Sequence, residues 1–228
     1  MVGPTAGIGQ GSPVSQIPPL VADLTPAGTP LPTLWLLRHG ETAWSRDGKY
    51  TGLTDLELTP HGEEQAIQAR RHLSGVDFDA VFTSPLQRAV RTAELAGYPD
   101  AEVLPYAHEW DYGAFEGRSS AEVRSENPGY LIWSDGVPQG ESLGEVSARA
   151  DRVISRIQAG CGTPADRTPL AVPLQCALVV AHGHFLRILA ARWLELEPRE
   201  GRRFSLGTAA VCALGWDKRT PGIRHWNL

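Results

Sequence analysis

From Leu34 onward, short continuous apolar runs alternate with stretches of helical periodicity, and this alternation limits the fold more than any other feature of the chain. Leu34-Trp35-Leu36-Leu37 and Ala177-Leu178-Val179-Val180-Ala181 carry no alternating polar positions, as expected of strands covered on both faces. Ala80-Val81-Phe82 reads as another strand, and Ala209 to Leu214 as a last one. Thr59-Pro60 supplies an N-cap and a first-turn proline to a helix with Ala66, Ala69 and Leu73 on one side. Further helices are expected from Leu86 to Ala96 and from Phe185 to Leu194. Ser142 and Glu145 form a capping box ahead of a helix striped with Leu143, Val146, Ala150, Val153, Ile154 and Ile157. Such alternation predicts an α/β fold with a mostly parallel sheet covered by helices.

Residues 1–32 break the pattern. They hold seven prolines, five glycines, no Lys or Arg, and Asp23 as the single charge. Too little apolar surface is available there to offset ordering entropy, so a disordered Pro/Gly-rich tail is expected ahead of a folded domain spanning 33–228. The tail has neither the basic and apolar regions of a secretory signal nor the arginines of a transit peptide. Its Gly-x-Gly-x-Gly run from Gly7 to Gly11 lacks the strand and helix that would make it a nucleotide loop. A net charge of −5 argues against a nucleic-acid partner. No apolar window approaches the roughly 18 residues of a membrane span, so no membrane partner is expected. Cys161, Cys176 and Cys212 form no CxxC pair, which points away from a disulfide framework or zinc site and toward the cytoplasm. A homo-oligomer is compatible with all of this.

In sheets of this kind, chemistry sits in the loops leaving the carboxyl ends of strands. Three predicted strands run directly into reactive residues: Arg38-His39-Gly40-Glu41, then Thr83-Ser84-Pro85 with Arg88 beyond, then His182-Gly183-His184. Two arginines and two histidines converging on one sheet edge would form a cationic cup suited to a phosphate dianion. A competing pattern is Gly140-Glu141-Ser142-Leu143-Gly144, which matches a serine-hydrolase nucleophile elbow, with Asp166 and His182 following in order. The turn-rich residues 135–139 replace the strand that an elbow requires, so Ser142 reads as a helix cap.

These stretches together resemble the histidine phosphatase superfamily, in its phosphoglycerate-mutase-like branch. The resemblance rests on Leu37-Arg38-His39-Gly40-Glu41-Thr42 with Thr51-Gly52 and Leu58-Thr59-Pro60. It continues through Ser84-Pro85-Leu86-x-Arg88-Ala89, Glu109-Trp110-Asp111-Tyr112-Gly113 and Val180-Ala181-His182-Gly183, in order as far as Trp216. It implies a three-layer α/β/α sandwich, no metal, no organic cofactor, and a small phosphorylated metabolite as substrate. By motif position it makes His39 the nucleophile that takes the phosphoryl group. Arg38, Arg88 and His182 become the groups that hold phosphate, and Glu109 the acid that protonates the leaving alkoxide and later activates water. Ser45, Thr51, Gly52, Tyr112 and Gly183 match positions around the substrate, with Ser45 standing where the mutases have Asn.

The same resemblance separates hydrolysis from mutase chemistry. Mutases of the family carry an Arg after the general acid and a basic insertion further on; here Trp110 follows Glu109, and Gly113 to Trp133 is short, with only Arg118 and Arg124. Phosphohistidine would then be open to water. Lys49 to Asp55 and Trp133-x-Asp135-Gly136 resemble the sugar-bisphosphate and broad-specificity acid phosphatases. The expected activity is therefore a metal-independent phosphomonoesterase, possible substrates including sugar phosphates and bisphosphates, ahead of a phosphoglycerate mutase or a catalytically silent phospho-ligand module. Trp110, Tyr112 and Phe115 are candidates for an aromatic wall on the leaving-group side.

Overall fold

The computed structural model describes residues 31–159 and 174–228. The expected tail, its glycine run, Cys161 and Asp166 lie outside the described residues.

The first apolar run forms β1 (Thr33–Arg38). Its side chains alternate between two cores: Leu34 and Leu36 enter one, Trp35 and Leu37 the other. A short helix α1 (Ala43–Arg46) and then α2 (Pro60–Leu73) follow. The Thr59 hydroxyl accepts the Gly62 N–H at 3.0 Å, the expected cap, and Ala66, Ala69 and Leu73 are buried. Next come β2 (Ala80–Thr83), α3 (Gln87–Leu95) and a two-residue edge strand β3 (Glu102–Val103). Helices α4 (Ser120–Glu126) and α5 (Ile132–Asp135) lead to α6 (Leu143–Ala159). The chain then continues through β4 (Cys176–Ala181), α7 (Gly183–Trp193), β5 (Val211–Asp217) and β6 (Thr220–His225).

The sheet order is β3-β2-β4-β1-β5-β6. β1, β2, β3 and β4 are parallel, while β5 runs antiparallel to β1 and forms a hairpin with β6. The last predicted strand starts two residues late, after Ala209, which sits at φ +52° and cannot extend the strand. Helices α2 and α3 cover one face, while α6 and α7 cover the other. The chain is therefore an α/β three-layer sandwich with a mixed, mostly parallel sheet.

This topology aligns the strand ends. Leu37 and Thr83 both pair with Val180, so β1, β4 and β2 terminate side by side. The next residues of each strand then emerge at one edge.

Candidate active site

Because β1 and β4 are parallel neighbours, their exit residues meet. His39 N–H donates to Ala181 O at 2.9 Å, and the His39 and His182 rings lie 5.2 Å apart, centroid to centroid. Gly40 permits the tight exit: a Cβ there would lie 2.2 Å from the carbonyl oxygen of Gly62. The Gly40 N–H donates to Thr92 Oγ1 at 3.0 Å, which anchors the turn to α3.

His39 Nδ1 lies 2.7 Å from the carbonyl oxygen of Gly40. A carbonyl can only accept, so Nδ1 carries the proton and Nε2 keeps its lone pair. Burial, reinforced by the Arg88 and Arg38 charges, holds the His39 pKa well below the usual imidazole value. A neutral imidazole with Nε2 free is a nucleophile.

Arg88 lies beneath this histidine pair and is fully buried. Its Nη2 donates to the carbonyls of Thr51 (3.2 Å) and Gly52 (2.8 Å), Nη1 to Thr54 (2.9 Å), and Nε to His182 Nδ1 at 3.2 Å. Accepting at Nδ1 makes His182 a donor at Nε2, where Ser84 Oγ lies at 2.7 Å. The His182 pKa is lowered by burial and by neighbouring Arg88. Gly52 is held from its other side by Glu116, whose carboxylate accepts its N–H at 2.9 Å.

Above them opens a cleft of about 200 Å³ lined by Arg38, His39, Ser45, Thr51, Glu109, Tyr112 and Gly183, among others. Seven of the ten site residues expected from sequence thus share one cavity. Arg88, His182 and Gly52 back its floor instead of lining it. Arg38 donates from Nη1 to Leu206 O at 2.6 Å. Its Nε is the one buried side-chain polar atom among the described residues without a partner. A donor left over at a cationic wall fits an anion. Ser45 is less free than its position implied. It occupies the third residue of the short helix α1, and its hydroxyl accepts from Thr42 N–H at 2.9 Å and donates to Thr42 O at 3.1 Å.

Glu109 is buried, and its carboxylate sits at the N-terminus of α7. Oε1 accepts the N–H groups of Trp110 and Phe185, both at 2.9 Å, and Oε2 accepts that of His184 at 3.0 Å. The helix starts two residues earlier than periodicity predicted, at Gly183, and this puts those N–H groups within reach.

The aromatic wall is divided. Tyr112 lines the cleft, and its hydroxyl is hydrogen-bonded to His184 Nδ1 at 2.6 Å. Burial, followed by the Arg187 and Arg38 charges, pushes the His184 pKa down to about 3, so its ring stays neutral. Trp110 belongs to the core instead, fully buried with its indole N–H on Glu141 O at 2.8 Å. Phe115 packs behind, 6.4 Å from Tyr50, which lines the cleft.

Sequence reasoning gave no site role to His184, Arg187, Lys49 and Tyr50, all of which line the cleft. Arg187 had a readable signal, as an arginine inside the apolar run Phe185-Leu186-Arg187-Ile188-Leu189. Leu206 had none, since it contributes a backbone carbonyl. Ser142 caps α6 in the expected box with Glu145, whose N–H it accepts at 3.2 Å, and no strand leads into it as a nucleophile elbow requires. Among the described residues, no three His, Cys, Asp or Glu side chains gather as a metal site, and no helix is long and apolar enough to cross a membrane.

Residues 34–228 match the histidine phosphatase superfamily, branch 1. The chain is 39% identical over 194 residues to an acid phosphatase of Mycobacterium tuberculosis, covering 84% of this chain and 89% of that protein. It is 34% identical over 196 residues to sedoheptulose 1,7-bisphosphatase of Saccharomyces cerevisiae, covering 72% of this chain and 68% of that protein. The solved structure of an open reading frame product from Mycobacterium tuberculosis superposes with a TM-score of 0.77 at 37% identity, covering 86% of this chain and 97% of that one. The chain belongs to the histidine phosphatase superfamily.

Proposed function

We propose that this phosphatase hydrolyses phosphomonoesters of small metabolites by passing the phosphoryl group to His39 Nε2 and then to water. The observation that carries the reading is the His39 Nδ1 to Gly40 O contact, which leaves a neutral imidazole with a free Nε2 on a cationic cleft wall. Arg38 and Gly183 offer donors to the phosphate from that wall. Arg88 lends charge from below, and the His182 Nε2–H turns from Ser84 to a phosphate oxygen when one is bound.

In the first step Nε2 attacks phosphorus and the P–O ester bond breaks. Glu109 gives its proton to the departing alkoxide. In the second step the Glu109 carboxylate takes a proton from water, whose oxygen attacks phosphohistidine, and the P–N bond breaks to release phosphate. Oε2, with one N–H bond against two at Oε1, keeps the freer lone pair and is the oxygen assigned to this transfer.

Hydrolysis is favoured over mutase chemistry because the mutases' arginine after the general acid has no counterpart here, although Lys49 and Arg187 do line the cleft. Trp110, after Glu109, points into the core, and Arg118 pairs with Glu126 away from the cleft. Sugar phosphates and bisphosphates are the proposed substrate class, in keeping with the bisphosphatase among the relatives. Cys176 and Cys212 are both free thiols, in keeping with a reducing cytoplasm.

The test is a phosphate-release screen over sugar phosphates, sugar bisphosphates and phosphoglycerates, run in EDTA with wild type and His39→Ala. Release by wild type and none by the variant is expected. Activity that EDTA abolishes, or that survives in His39→Ala, would refute the reading.

A further inference from the structure

The chain that carries Glu109 is held from outside the cleft. Residues 108–112 belong to no helix or strand, so their backbone groups need other partners. Arg149, on α6, supplies them. Its Nη1 donates to the carbonyls of Tyr106 at 2.8 Å and His108 at 2.9 Å, and its Nη2 to that of Glu109 at 3.3 Å. The remaining donors, on Nε and Nη2, meet the two oxygens of Glu141 at 2.8 and 2.7 Å.

Glu141 completes the grip. Its Oε2 accepts the Asp111 N–H at 3.0 Å, its own N–H donates to Asp111 O at 3.1 Å, and its carbonyl takes the Trp110 indole N–H. Every residue from 108 to 111 is therefore tied to Arg149 or Glu141. Both side chains are largely withdrawn from water, at 12% and 19% exposure, and neither lines the cleft. Burial raises the Glu141 pKa, but the hydrogen bonds from Arg149 and the Asp111 N–H, with the Arg149 charge, bring it below the usual carboxylate range.

We propose that Arg149 and Glu141 are a positioning pair that fixes where the Glu109 carboxyl sits, and so governs proton transfer to the leaving group. The inference rests on the reading of Glu109 as proton donor. Transfer requires donor and acceptor within about 2.6–3.2 Å. A displacement of about 1 Å costs about 10²-fold. A lysine at 149 keeps the charge but cannot span three carbonyls and a carboxylate with one ammonium group.

The experiment measures kcat/KM of the full chain carrying Arg149→Lys on phosphate monoesters from p-nitrophenyl phosphate to glycerol phosphate. Melting curves confirm folding, and Glu141→Gln carries the same series should Arg149→Lys fail to fold. The expected result is a fall of about 10²-fold on glycerol phosphate and less than about 3-fold on p-nitrophenyl phosphate. In a Glu109→Gln background, Arg149→Lys should cost nothing further. Equal losses along the series in a folded variant, or losses that multiply with those of Glu109→Gln, overturn the proposal. A Glu109→Gln enzyme with no leaving-group dependence is a separate result. It overturns the proton-donor reading itself, and this inference with it.

Discussion

The rings of His39 and His182 lie 5.2 Å apart at the ends of adjacent parallel strands, and each has its Nδ1 already committed. His39 gives its Nδ1 proton to Gly40 O, while His182 Nδ1 accepts from Arg88 Nε. One imidazole is left with a free Nε2 lone pair and the other with an Nε2 proton that rests on Ser84 Oγ. The pair thus offers a nucleophile and a donor without either being charged.

This arrangement sets how His39 titrates. Its pKa is lowered well below the usual value by burial and by Arg88 and Arg38, so the ring should stay neutral through mildly acidic solution. Nitrogen NMR of ligand-free enzyme should show the His39 ring neutral between pH 7 and pH 5, with the proton on Nδ1 and none on Nε2. A midpoint at or above about 6.5, the ordinary imidazole value, would contradict it.

Stability should respond to the same burial. His39, His182 and His184 all have folded pKa values below the unfolded one, that of His184 at about 3. Below about pH 6.5 the unfolded chain takes up protons that the folded one refuses, so stability is full above that pH and falls as pH drops. Each imidazole contributes a slope of up to about 1.4 kcal/mol per pH unit. Urea unfolding between pH 6.5 and 5 should show the decline, and His184→Gln should make it shallower. An unchanged slope in that variant would count against a buried neutral His184.

Arg88 should matter to the fold as well as to the reaction. Replacing it with Lys strands some of the Thr51, Gly52 and Thr54 carbonyls and leaves His182 Nδ1 without its donor. An unsatisfied buried polar group costs about 1–3 kcal/mol, so Arg88→Lys should lose roughly 3 kcal/mol in urea unfolding. A loss within about 0.5 kcal/mol would mean that the floor is not built on Arg88.

Much of this was legible in the sequence, for physical reasons that differ by element. β1 and β4 are buried on both faces, so apolar continuity alone marked them, and the residues that exit them had to meet. β6 was missed because Thr220-Pro221-Gly222 carries turn residues, which only an edge strand tolerates. The start of α7 at Gly183 was missed because periodicity detects the apolar face from Phe185, whereas the first turn faces Glu109. Arg38 and Arg88 were found as residue types, but their anchors are backbone carbonyls at Leu206, Thr51, Gly52 and Thr54, which leave no trace in side-chain identity. Trp110 illustrates the opposite error, since an aromatic beside a functional residue can belong wholly to the core.

The central claim, transfer through His39, is tested most directly by rapid-quench kinetics of Glu109→Gln with p-nitrophenyl phosphate. An aryl leaving group needs little protonation, so His39 should still be phosphorylated, whereas loss of the base should slow hydrolysis by about 10²–10⁴-fold. The account predicts a burst approaching one nitrophenolate per enzyme, with acid-labile, base-stable phosphate on the peptide containing His39. No burst, or acid-stable phosphate on another residue, would contradict it.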